Sequence, residues 1–117
     1  MTQGVGTPPF TQGFISTFEL DDHFSRHAAE LGLSTKAAYL AQADRFLGGP
    51  IGPNTQQCRR PRGRYTNDKV RWNSVTGEFG IQRADGFIRT YYWLDLRGYR
   101  HRFPTDQDYF QEQCRKT

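Results

Sequence analysis

With 117 residues, a formal charge of +4 and a pI near 9.3, the chain has room for one modest core, on which any site must be built. No run of about 18 apolar residues is present, which excludes a membrane-spanning helix, and no positively charged start precedes an apolar block as in a signal peptide. The positive charge lies from Cys58 onward, while the part before it is net negative. A basic half with Tyr and Trp among its arginines suits a polyanion. RNA fits best because aromatic faces and Arg planes take up unpaired bases; the alternative is a solvated surface that is merely Arg-rich.

In chain order, residues 1–16 are rich in Gly, Thr, Pro and Gln and read as a flexible leader or linker remnant, leaving 17–117 as a single domain. From Phe18 to Leu31, Leu20, Phe24, Ala28 and Leu31 form one helical stripe, with Thr17 as N-cap and Asp21 and Asp22 in the first turn. His27 falls on the buried side of this helix, and His23, four residues earlier, on an adjoining part. The pair has three readings: a core histidine satisfied by a hydrogen bond, a general acid or base, or metal ligands. HExxH is absent, because Phe24 follows His23. Gly32 ends the helix, Ser34 caps a second one running to Leu47, and Gly48 and Gly49 stop it.

The segment QCRRPRGRY, Gln57 to Tyr65, places four arginines around a Pro and a Gly. It reads as an exposed basic loop, preceded by a short edge strand holding Cys58. Arg62 and Arg64 are its candidates for clamping a phosphate backbone. Cys58 and Cys114 allow one disulfide or two free thiols, and with no CxxC pair or zinc-spaced Cys/His cluster no structural metal is expected. From Lys69 to Leu94 the pattern alternates with period two in three runs, joined by Ser-Val-Thr-Gly and Ala-Asp-Gly. This is an antiparallel meander, with Gly86 able to take the positive φ of a hairpin turn. Tyr99 to Phe103 could add a strand bearing His101, which would either touch substrate or be an ordinary surface residue. Thr105 caps a short final helix, DQDYFQEQC.

The architecture expected is α+β: two N-terminal helices packed on a twisted antiparallel sheet of three to five strands, with a short C-terminal helix. Helices would cover one face of the sheet and leave the other to water or a ligand.

Five stretches carry a family resemblance: HFSRHAAELG, KAAYLAQADRFLGGP, RWNSVTGEFGI, DGFIRTYYWLD and FPTDQDYFQEQC. In their order and spacing the chain resembles the catalytic domains of bacterial polymorphic and contact-dependent inhibition toxins, in the barnase, EndoU, colicin and RelE-like ribonuclease group. The resemblance implies metal-independent RNA cleavage without a cofactor. It also implies carriage on a larger secreted protein, action in the cytoplasm of a target cell, and a cognate immunity protein in the producer. It sets His27, and Thr90 with its neighbours, at catalytic positions.

Cleavage to a 2′,3′-cyclic phosphate needs a base for the 2′-hydroxyl, an acid for the leaving oxygen and donors for the phosphorane-like transition state. From side-chain type, His27 is assigned as base or acid, Arg71 and Arg89 as phosphate donors, Thr90 as a hydroxyl donor and Tyr92 as a positioning or proton-transfer group. Lys69, Arg89, Tyr91, Arg62, Arg64 and His101 are the candidates for holding substrate. In a regular strand Arg89 and Tyr91 point away from Thr90 and Tyr92, so both pairs can serve one site only if a bulge or strand end intervenes. Two alternatives stand beside this reading: a non-catalytic RNA-binding module, and a small NAD-directed toxin enzyme.

Overall fold

The computed structural model describes residues 7–94 and 103–117. It is α+β, as the pattern of the chain requires: α1 (Thr17–His27), α2 (Lys36–Gly48), β1 (Thr55–Arg59), a single 3-10 turn (Gly63–Tyr65), β2 (Lys69–Asn73), β3 (Glu78–Gln82), β4 (Ile88–Trp93) and α3 (Asp106–Arg115). The strands pair in sequence order, all antiparallel. The expected strand around His101 lies outside the described residues.

Helix ends follow local chemistry, with small shifts from the sequence expectation. Ser16 rather than Thr17 caps α1, its hydroxyl accepting from the Glu19 amide, and Thr35 rather than Ser34 caps α2 by accepting from the Ala38 amide. α1 stops at His27; the chain then turns through Ala28 to Gly32, which takes a φ of 73°. Thr105 caps α3 as expected. Gly86 has a φ of 101°, the left-handed conformation that the β3–β4 turn demands.

The strand register divides the side chains between two cores. Val70, Trp72, Phe79, Ile81 and Tyr92 share one face and pack against Phe110 and Tyr109 of α3. Tyr91, Ile88 and Gly80 belong to the other, beneath Tyr39, Ala43 and Leu47 of α2. α1 packs against α2 and β4, the last strand of the sheet among the described residues. The face opposite α2 is therefore not simply open: α3 covers part of it, and what stays accessible is a cleft beside the β4 end.

The residues just before α1 are not a free leader. Asp44, buried on α2, accepts hydrogen bonds from the Phe10 amide at 2.8 Å, the Thr11 amide at 2.8 Å and the Thr11 hydroxyl at 2.5 Å. Phe14 enters the core beside β4, where the Ile88 amide donates to the Gly13 carbonyl at 2.8 Å. A buried carboxylate needs such donors, and here the preceding segment supplies them. The domain thus includes residues assigned from sequence to a leader.

Cys58 and Cys114 form a disulfide, with Cα atoms 6.0 Å apart, tying α3 to β1. It closes a loop of 56 residues. By loop entropy, such a link contributes about 4 kcal/mol. The double variant Cys58→Ser, Cys114→Ser is expected to lower unfolding free energy by about that amount in urea titrations, and a reducing agent should have the same effect on the native protein but none on the variant.

Candidate active site

The site grows from a match of periods. His23 and His27 are one helical turn apart on α1, separated by about 6 Å along the axis, and Thr90 and Tyr92 are two residues apart on β4, about 6.7 Å. The two rows lie side by side. His23 Nδ1 is 3.3 Å from the Thr90 hydroxyl, and the His27 ring stacks on the Tyr92 ring with centroids 5.0 Å apart. Phe14 stacks on His23 at 5.2 Å, and the Tyr92 hydroxyl shares a 2.6 Å hydrogen bond with that of Tyr109 on α3. His23 Nε2 faces the Glu19 carboxylate at 3.6 Å.

Burial holds both imidazoles neutral. It lowers the pKa of His23, with the Arg26 guanidinium adding to the effect, and pushes His27 down to about 4 for the same two reasons. A neutral imidazole can accept a proton at pH 7; His27 with so low a pKa cannot serve as a charged acid there.

The cations come from the bulge that the alternation required. Ile81 pairs with Thr90 while Gln82 pairs with Ile88, so Arg89 is the extra residue of β4. Arg89 and Thr90 consequently line the same cleft, whose volume is about 490 Å³ and whose wall also includes Glu19, Tyr65, Arg83 and Lys116. Asp68, fully buried, accepts from Arg89 Nε at 2.7 Å and from Arg60 Nη1 at 3.0 Å. Arg60 also donates to the Gln113 carbonyl at 2.7 Å and to its side-chain oxygen at 3.0 Å. The Tyr65 ring lies beneath Arg89 at 5.0 Å and Arg60 at 5.2 Å. Two guanidiniums and one carboxylate leave a net positive charge facing the cleft, held in place by hydrogen bonds.

Other residues named from the sequence fall elsewhere. Arg71 is buried on the α2 face, donating to the Phe46 carbonyl at 2.9 Å, the Gly49 carbonyl at 2.7 Å and Gln57 at 2.7 Å. Lys69 Nζ donates to the Leu47 carbonyl at 2.7 Å, and burial lowers its pKa to about 8. Both cations satisfy the orphan carbonyls at the C-terminal end of α2, where the helix dipole favours them, so neither can reach a phosphate in the cleft. Tyr91 is fully buried beneath α2, its hydroxyl donating to Glu78 at 2.5 Å. Arg62 and Arg64 are exposed, with Arg64 5.8 Å from the Tyr65 ring. His101 lies outside the described residues.

A larger groove, about 800 Å³, opens between α2 and the β2–β3 turn, lined by Gln42, Arg45, Asn54, Glu78 and Trp93. It shares no lining residue with the smaller cleft, which Thr90, Arg89 and Glu19 line and which His23 backs through its contact with Thr90. Glu19, Asp22 and His23 bring potential metal-ligand atoms within 4.8 Å of one another. Asp22, however, is bound by Arg26 at 2.8 Å, which neutralises the carboxylate and weakens the set as a cation site. Among the described residues no helix is long and apolar enough to cross a membrane.

Sequence reasoning passed over Glu19, Asp68, Tyr65 and Tyr109, and gave His27 the place beside Thr90 that His23 occupies. The i, i+4 spacing of the histidines was the available signal for His23. Asp68, the first carboxylate after the run of arginines, was the signal for the ion-pair cluster. Scanned against known families, the chain matches no family model, and no curated protein is significantly similar to it.

The histidines make stability depend on pH. The ordinary histidine value is 6.5, and the folded values are lower. The unfolded chain therefore takes up protons that the folded state refuses as pH falls. Stability from this source is complete above about pH 6.5 and is lost down to about pH 4. Replacing His27 with Gln should flatten the fall of the urea midpoint across that window; a slope equal to that of the parent protein would contradict the burial of the ring.

Proposed function

We propose that the protein is a metal-independent endoribonuclease that cleaves RNA by attack of the 2′-hydroxyl on the adjacent phosphate, giving a 2′,3′-cyclic phosphate end. The observation that carries this reading is the neutral His23 imidazole behind the Thr90 hydroxyl, which lines a cleft together with the anchored Arg89, while one turn along His27 stacks on the Tyr92 ring. RNA brings its own nucleophile, so the protein needs only to move protons and to stabilise charge.

Arg89 suits the phosphate. Asp68 accepts from Nε at 2.7 Å and from Nη2 at 3.4 Å, and the guanidinium protons on the side away from Asp68 remain to meet non-bridging oxygens without loss of side-chain freedom at that moment. Lys116 extends the positive wall for the flanking backbone, beside Arg83, which is paired with Asp85 at 2.6 Å. His23 at Thr90 suits the base, and Tyr92, hydrogen-bonded to Tyr109, suits the acid, because the nearby His27 is neutral at pH 7 and not the imidazolium that an acid would need to be. His27 then serves as the apolar shelf that sets the Tyr92 ring. Following the resemblance, such a domain would travel on a larger secreted carrier, act on transfer RNA in a target-cell cytoplasm, and be held in check by a cognate immunity protein.

The test is incubation of purified protein with total RNA in EDTA. Fragments with cyclic-phosphate ends are expected. Intact RNA with shifted mobility would instead point to a binding module, and nicotinamide release from NAD to an NAD-directed enzyme. His23→Ala and Arg89→Ala are each expected to lower cleavage by about 100-fold or more, as loss of a proton-transfer or charge-stabilising group does. Arg71→Met should weaken folding while leaving the cleavage rate of the folded fraction near that of the parent.

A further inference from the structure

We propose that Thr90 and His23 form a proton relay, with Glu19 the positioning residue that fixes its direction. The relay rests on the nuclease reading and names the path by which the 2′-hydroxyl proton leaves.

The direction of the relay depends on which ring nitrogen of His23 holds the proton. The ring is 8% exposed, its plane set by the stack on Phe14, and each nitrogen faces one oxygen group. Nε2 looks at the Glu19 carboxylate across 3.6 Å, Nδ1 at the Thr90 hydroxyl across 3.3 Å. A neutral imidazole has one N–H and one bare lone pair. A lone pair turned to a carboxylate is repelled, whereas an N–H is attracted, so Nε2 carries the hydrogen and Nδ1 is the acceptor. The Thr90 hydroxyl must then donate to His23. Its own lone pairs are left for the cleft, where they can receive a hydrogen from substrate. This reverses the role expected from the sequence, in which Thr90 donates to a phosphate oxygen.

The step balances. The 2′ O–H bond breaks and its proton passes to Thr90 Oγ1, whose original proton passes to His23 Nδ1. The 2′-oxygen forms its bond to phosphorus as the bond from phosphorus to the 5′-oxygen breaks, and that oxygen takes the Tyr92 hydroxyl proton. The imidazolium later returns its proton through solvent to Tyr92. While charged, it lies against Glu19, whose carboxylate has no other ion-pair or hydrogen-bond partner among the described residues. The charged groups around the ring are Glu19, Asp22 and Arg26 on α1, with His27 one turn on; Arg89 from β4 lines the cleft with Thr90 and Glu19. Asp22 and Arg26 pair with each other, with Arg26 the stronger of the two at the ring, so Glu19 acts on the tautomer through its direct approach to Nε2 and not as the dominant charge.

Long-range proton–nitrogen NMR of the full chain labelled with ¹⁵N-histidine reads the tautomer directly, the His23 signals being assigned by their loss in His23→Gln. The Nε2–H form is expected near neutral pH, and Glu19→Ala should shift the population toward Nδ1–H. An Nδ1–H ring in the parent protein, or no change in Glu19→Ala, overturns the proposal. In RNA cleavage, Thr90→Ser should stay within about tenfold of the parent, and Thr90→Val should lose about 100-fold or more while keeping its NMR fingerprint. A Thr90→Val variant that cleaves at the parent's rate also overturns it. A protein that cleaves RNA but shows the wrong tautomer sinks the relay alone. One with the right tautomer that cleaves no RNA sinks the nuclease reading, and the relay's task with it.

Discussion

The buried carboxylate of Asp68 holds together most of what matters here. It is 1% exposed, and such a charge is tolerated only when paired and hydrogen-bonded on all sides. Arg60 and Arg89 meet that need from two directions, and each ties down a different part of the molecule. Through Arg60 the carboxylate reaches the C-terminal end of α3; through Arg89 it reaches the bulge of β4 and the cleft. Tyr65 lies against both guanidiniums. The outcome is a single surplus positive charge whose position is determined by covalent and hydrogen-bonded neighbours on three sides.

α3 is the second support of the cleft, and it is fastened close to the point of contact. Gln113, which grips Arg60, immediately precedes Cys114, which is bonded to Cys58 on β1. One turn and a little earlier, Tyr109 meets Tyr92. The Arg60 wall of the cleft and the Tyr92 hydroxyl thus both depend on a helix too short to hold itself in water. The disulfide therefore bears on the geometry of the site as well as on global stability. The same geometry explains why the imidazoles cost stability in acid: a ring seated between a helix and a strand edge has too little water around it to solvate the charge it would gain.

Net charge is a poor guide to where an anion will bind. Lys69 and Arg71, on one face of β2, are the best-placed cations by alternation, yet both point under α2 and close its last carbonyls. The helix end is the nearer and stronger claimant, since its carbonyls would otherwise be buried without donors. Arg89 shows the opposite case. Regular alternation would turn it away from Thr90, and one inserted residue in the ladder brings it back.

Periodicity and punctuation alone determined the element order, the antiparallel meander, the edge strand of Cys58, the final helix and the turn at Gly86, because each rests on interactions within a few residues. They also placed Thr90 and Tyr92 on one face and two histidines one turn apart. Which histidine meets which hydroxyl, where the strand bulges, which arginines are tied to carbonyls and whether residues 10–14 join the core were decided by tertiary contacts. Those contacts join positions dozens of residues apart. Their outcome depends on competition among several burial sites for the same donors, a balance that no local window of sequence contains.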